Sequence, residues 1–172
     1  PELVLSVKSK AMATARGASL DAGRAADSGP RADILAEALV WDDAHEHVLL
    51  EAHDDGLWLP SRAARVAVSA LEDEARWAAA RLANTAVGAA IAARQLHLGE
   101  RALGLDGRER LVFVASAPAE VAVPPGYQWC KPADLATLRL RYRDRAPGLL
   151  ELCGRSFSRS GGGELLTEEE RE

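Results

Sequence analysis

Residues 58–88 read WLPSRAARVAVSALEDEARWAAARLANTAVG, and their pattern changes from a strand to a helix within a dozen positions. Leu57-Trp58-Leu59 is a short apolar strand that Pro60 ends, and a loop follows it. Ser69 is placed as a helix N-cap, with Glu72 three residues on completing a capping box. Glu72, Asp73 and Glu74 then sit where the helix dipole favours negative charge. Leu71, Ala75, Ala78 and Leu82 recur at spacings of four, three and four, a narrow apolar stripe whose alanines let the helix lie close to a sheet. Glu72 and Arg76 form an i,i+4 pair on the outer side, and Asn84, Thr85 and Gly88 close the helix. From Ala75 to Gly99 there is not one Asp or Glu. A helix this well framed, with acids only in its first turn, is built for packing.

Outward from that helix the pattern is mostly β. Ile34 to Trp41 and His47 to Ala52 read as strands joined by the polar turn Asp42 to Glu46. Asp54-Asp55-Gly56 is a turn signal. Ala89 to Leu98 alternates loosely as a strand, Gly99 to Arg110 is a polar hairpin or loop, and Leu111 to Ala115 is the clearest buried strand. After a Pro-rich loop, Pro118 to Gly126, come a short strand Tyr127 to Cys130, a helix Pro132 to Leu140 and a last short helix Leu149 to Cys153. Strands, one helix, strands and a closing helix define an α+β order without repeating βα units. Residues 1–32 read as an N-terminal arm, 33–153 as one folded domain and 154–172 as a flexible acidic tail.

The chain has 172 residues, 48% of them hydrophobic but only 5% aromatic, so its core is made mainly of Ala, Leu and Val. Net charge is −5, which argues against a free-standing DNA or RNA binder relying on bulk positive charge. Most of that charge lies in the closing ELLTEEERE, with five acids and one Arg. Residues 6–20, SVKSKAMATARGASL, hold Lys8, Lys10 and Arg16 and no acid. That composition is the kind found in organelle transit peptides; a plain flexible arm reads the same way. Cys130 and Cys153 have no metal-ligand spacing and read as ordinary buried thiols. No apolar run approaches the ~20 residues of a membrane span.

From "ILAEALVWDDAHEHVLLEA" through "GLWLP", the capped helix and "RLVFVA" to "YQWCKPADLATL", roughly residues 33–153 resemble the Nudix fold. The resemblance implies an α/β/α sandwich with a mixed sheet, one central helix after the Trp-Leu-Pro loop and a C-terminal helix. Enzymes of that family carry Gly, five residues, Glu, seven residues, then Arg-Glu-apolar-x-Glu-Glu-x-Gly-apolar. Its helical glutamates, three and four apart, hold Mg²⁺ against a diphosphate. Counted from Pro60, Arg62 stands at the glycine, Val68 at the first Glu, Arg76 at the Arg, and Trp77, Ala80 and Arg81 at the metal-binding glutamates. Counted back from Gly88, Asp73 and Arg81 take the first Glu and the Arg, and Leu82, Thr85 and Ala86 the glutamates. Neither register keeps one metal ligand, so the resemblance implies a non-catalytic relative with no metal and no cofactor. Among such relatives the residues are most similar to the Nudix-derived component of the mitochondrial large ribosomal subunit. That implies a structural role beside neighbouring ribosomal proteins, with some rRNA-backbone contact, no DNA and no membrane.

Two competing readings stay open: a divergent hydrolase whose metal ligands come from Glu51, Asp54, Asp55 or Glu120, and a sensor that binds a nucleotide without cleaving it. Arg62, Arg65, Arg76 and Arg81, with Trp77 among them, are candidates for an anion, an RNA backbone or a protein neighbour. Arg139, Arg141, Arg143 and Arg145 alternate through "RLRYRDRAP" and form a local basic patch on a near-neutral body. His45, His47 and His53 suggest zinc at first sight, but no third ligand has regular spacing, and exposed hairpin histidines are the simpler reading. Three consecutive acids point about 100° apart on a helix, so Glu72, Asp73 and Glu74 are expected to serve the first turn rather than an ion.

Overall fold

The computed structural model describes residues 29–161 apart from 89, 105, 119 and 120, with the backbone alone for 157–161. The proposed arm, up to residue 28, and the acid-rich segment beyond 161 lie outside the described residues. A seven-stranded mixed sheet is built from β1 (Arg31–Trp41), β2 (Val48–His53), β3 (Gly56–Trp58), β4 (Ser61–Ala67), β5 (His97–Leu103), β6 (Glu109–Ser116) and β7 (Tyr127–Cys130). Among the described residues two α-helices, α1 (Leu71–Val87) and α2 (Ala146–Gly161), complete the α+β order.

β1 is the axis. It runs parallel to β6 along one side, Ile34 opposite Glu109 through Trp41 opposite Ser116. On its other side β4 is antiparallel, Arg31 opposite Ala67 through Glu37 opposite Ser61, and β2 joins only at Trp41. Successive side chains of β1 face opposite ways. Ile34, Ala38 and Val40 enter a core with Leu111, Phe113 and the alanines of α1. Leu39 and Trp41 enter a second core with Trp58, Val112, Val114, Leu149 and Leu152. A core on each face makes the sandwich, and it explains why β1 and β6 read as continuous apolar runs.

α1 follows from its composition. Ala75, Ala78, Ala79, Ala80, Ala83, Ala86 and Val87 are its buried residues, small enough for close approach and strong helix formers. Gly88 caps it at φ 62°, its N–H bonded to Asn84 O at 2.9 Å, a left-handed cap that favours glycine. The buried stripe differs from the expected one, since Leu71 and Leu82 only flank the core. Leu82→Ala is therefore expected to cost about 1–2 kcal/mol, below the 2–5 of a fully buried leucine, as measured by urea unfolding. A loss above that range would put Leu82 inside the core.

Several local expectations are corrected. Ser69 does not cap α1: a 3-10 turn, Val68–Ala70, winds the chain first and the N-cap is Ala70, without a side-chain bond. Glu74 substitutes by accepting the N–H of Ala67 at 3.1 Å. The loop expected after Pro60 is β4, whose arginines hide the inward alternation of Ala64 and Val66. Where residues 89–98 read as a strand there is a 3-10 turn, Ala93–Gln95, and β5 begins only at His97. The Pro132 helix is a 3-10 segment ending at Ala136. α2 continues past Gly154, where a tail was expected, with Ser156 buried against Trp41 through a 3.1 Å hydrogen bond.

Candidate functional site

The arginines singled out around α1 do not form one anion site. Arg62 and Arg65 are exposed on β4 but three residues apart on a strand, hence on opposite faces. Arg76 is committed elsewhere. Its guanidinium pairs with Glu72 at 2.7 Å and Asp73 at 2.8 Å and lies over the Phe113 ring, 5.5 Å from the centroid. The i,i+4 pair thus sits along the inner edge of the helix, not its outer side. Trp77, by contrast, is 62% exposed, and Arg81, one turn on, is exposed with no ion pair among the described residues.

Could the helix hold the Mg²⁺ that enzymes with the full glutamate motif bind? In the first register the donor set is an indole, a methyl group and a guanidinium, and Ala80 faces the core at 3% exposure. In the second it is Leu82, Thr85 and fully buried Ala86. A hard dication needs several oxygen ligands, and these residues do not fit it. The first-turn acids are used by Arg76 and by the Ala67 amide. Glu51 lies 3.7 Å from His53, and Asp55 pairs with Arg141 at 3.3 Å; Asp54 is exposed in the β2–β3 turn, and Glu120 falls outside the described residues. Among the described residues no three His, Cys, Asp or Glu side chains come together as a metal site would require. The histidines are dispersed: His45 contacts Ser116 at 2.9 Å, His47 contacts Asp42 at 2.7 Å, and His53 faces Arg141 at 3.2 Å.

The basic run at 139–145 divides. Arg139, Arg141 and Arg143 are exposed. Arg145 is not a surface contact: both oxygens of Glu37 accept from its Nη2, at 2.9 and 3.0 Å, and its guanidinium stacks 4.7 Å from Trp58 and 4.9 Å from Tyr142. Glu37 has no exposure at all. Burial pushes its carboxyl up from the ordinary value, against the opposing pull of Arg145. Arg110 stands 3.9 Å from the same carboxylate and bonds Glu100 at 2.9 Å. The Trp58 indole N–H faces Glu37 outside normal hydrogen-bond geometry. A cavity of about 200 Å³ between sheet and α2 is lined by Glu37, Trp58, Glu100, Arg110, Asp144 and Arg145. Glu37 was not singled out in the sequence, although one acid inside the apolar run ILAEALVW is the signal of a buried charge awaiting a partner. Both cysteines are buried and free, and burial pushes the Cys153 thiol up to about 12, leaving it unreactive.

No family model matches the chain, and no curated protein does. Solved structures do match. A chain in the complex between the C-terminal domain of mouse MUTYH and human PCNA aligns at 17% identity and TM-score 0.54, over 72% of this chain and 90% of that one. MutT, from a study of the Aliivibrio salmonicida and Vibrio cholerae proteins, aligns at 12% identity and TM-score 0.51, over 71% of this chain and 96% of that one. A protein described as an oxidoreductase, from Sinorhizobium meliloti 1021, aligns at 18% identity and TM-score 0.52, over 72% of this chain but only 40% of its own. The chain has a Nudix-like fold.

Proposed function

We propose that this chain is a non-catalytic Nudix-like domain that acts by binding, as a structural or assembly component. One observation carries the reading: in the register counted from Pro60, which needs no insertion, the positions of the metal-binding glutamates present Trp77 and Arg81 to solvent and turn Ala80 inward. An exposed indole beside a cation suits a partner surface, whereas it gives Mg²⁺ no oxygen. The fold shared with a chain of the MUTYH–PCNA complex supports use in an assembly; the fold shared with MutT supports the competing reading of a hydrolase.

The setting belongs to the same proposal. The stretches around Pro60, "RLVFVASA" and "YQWCKPADLATL" support a place at the periphery of the mitochondrial large ribosomal subunit. Net charge −5 suits protein neighbours better than rRNA backbone. No helix among the described residues is long and apolar enough to cross a membrane.

The deciding experiment is an assay of nucleoside diphosphate derivatives with Mg²⁺ or Mn²⁺. No turnover is expected. A rate on the order of 1 per second or more, abolished by changing Glu72, Asp73 or Glu51, overturns the reading in favour of the hydrolase. Sedimentation of the native protein with ribosomal particles at low and high salt tests the setting separately.

A further inference from the structure

Within Leu71–Val87, Asp73, Trp77, Arg81 and Thr85 are exposed and the rest are buried or half-buried. Spaced by four, these four form a single ridge along α1, and Ser69, exposed beside Val68 in the 3-10 turn that leads into the helix, stands four residues before Asp73. The order along the five is hydroxyl, acid, indole, base, hydroxyl, which maps onto its own complement when reversed about Trp77. A two-fold axis through Trp77 therefore sets Asp73 of one chain against Arg81 of the other, twice, with Ser69 against Thr85 at the ends and the indoles packed at the centre. Closed two-fold pairs need this kind of self-complementary patch.

We infer that α1 is a homodimer interface, its partner a second copy of this chain docked antiparallel across Trp77. The inference rests on reading α1 as a binding surface and not on the ribosomal setting. Ridges of residues four apart incline about 26° to a helix axis, so two such ridges laid together cross at roughly 50°, a common packing of helices. The charges are available for it. Arg81 has no ion pair among the described residues, and Asp73 is released without leaving Arg76 bare, because Glu72 holds Arg76 at 2.7 Å. Trp77, 62% exposed, gains the most by being covered. A contact made by one helix from each chain buries less than the roughly 1,200 Å² of a standard stable interface. The dimer is accordingly weak, with a dissociation constant of about 10–100 μM.

Sedimentation equilibrium of the full chain across that concentration range tests it, with circular dichroism confirming each fold. Wild type should show reversible monomer–dimer association. Trp77→Ala should weaken it at least tenfold, and so should Asp73→Arg or Arg81→Asp, each of which places two like-charged pairs across the axis. Mixing Asp73→Arg with Arg81→Asp should restore a dimer containing one of each, because both cross pairs are then opposite in charge. A wild type that stays monomeric overturns the inference, as does a dimer indifferent to Trp77 or a mixture that fails to pair. A monomer that binds a different protein through Trp77 also overturns it, while leaving the non-catalytic reading standing. Hydrolase activity in a chain that nonetheless dimerises this way does the reverse.

Discussion

Arg145→Ala is expected to destabilise the domain by about 3–5 kcal/mol at neutral pH, the range for leaving one partner of a buried ion pair uncompensated. Glu37 has no exposure, takes both of its close charged hydrogen bonds from Arg145, and would keep only Arg110 at 3.9 Å. The pH dependence separates this cause from lost stacking on Trp58 and Tyr142. Burial already raises the Glu37 pKa above its ordinary value, and removing Arg145 takes away the strongest force lowering it. An acid whose folded pKa is raised binds its proton more readily folded than unfolded, so stability rises as pH falls. The loss in the variant should be complete above its raised folded pKa and shrink as pH falls through it towards the ordinary carboxylate value. Urea unfolding of both proteins at neutral and mildly acidic pH measures the difference. An equal loss at both would assign the effect to the aromatic stacking on Arg145. Replacing both residues together, Glu37→Met with Arg145→Met, should recover much of the stability, since apolar substitutes carry no charge to desolvate.

The same pair shows how far the sequence could be read. Strands with one uninterrupted apolar run, such as Leu111–Ala115, were legible because burial on both faces leaves no other composition. Tyr127 to Cys130 matches β7 to the residue, fixed by glycine on one side and Lys-Pro on the other. β4 was not legible. Its register against β1 is a long-range property, and its inward residues are only Ala64 and Val66 between arginines. The true buried face of α1 was obscured for a related reason. With alanine at most positions, hydrophobicity hardly distinguishes one stripe from another, and the sheet beneath decides which alanines are covered. The basic run 139–145 looked uniform in sequence, yet a buried acid 108 residues away from Arg145 removes one member from the surface. Charge patterns report what is available for pairing, and only the fold reports what has been paired.

That distinction also governs the candidate surface. Arg62, Arg65, Arg76 and Arg81 are equivalent by composition, but Arg76 is neutralised by two acids and the two strand arginines point apart. What remains on α1 is Trp77 with Arg81, a smaller surface than the sequence suggested and a more specific one. Its counterpart at the opposite end of the sequence is Arg139 with Arg141, held in place by backbone pairing rather than by a helix.

Gly56→Ala is expected to disturb that second surface and to cost about 2–6 kcal/mol, from backbone strain of about 1–3 and a similar cost of overpacking. Gly56 has φ 140°, a region that side chains rarely enter, and a Cβ there would lie 2.8 Å from both Arg139 O and Arg141 N and 2.9 Å from Leu140 C. These are backbone atoms of a segment bonded to β3: Leu57 N–H donates to Arg139 O at 2.9 Å, and Arg141 N–H donates to Leu57 O at 3.0 Å. The methyl group cannot be accommodated by turning a flexible side chain, so the segment must lift from the sheet. Lifting it breaks both hydrogen bonds and pulls Arg141 from Asp55 and His53. Amide exchange of Leu57 and Arg141 should then accelerate far more than exchange in β6. Gly88→Ala is the control, because φ is 62° there but nothing lies within 4 Å of an added Cβ; it should lose only the strain contribution, about 1 kcal/mol. Equal losses in the two variants would mean that crowding against 139–141 contributes nothing, and that this arginine pair is free to move independently of the β2–β3 turn.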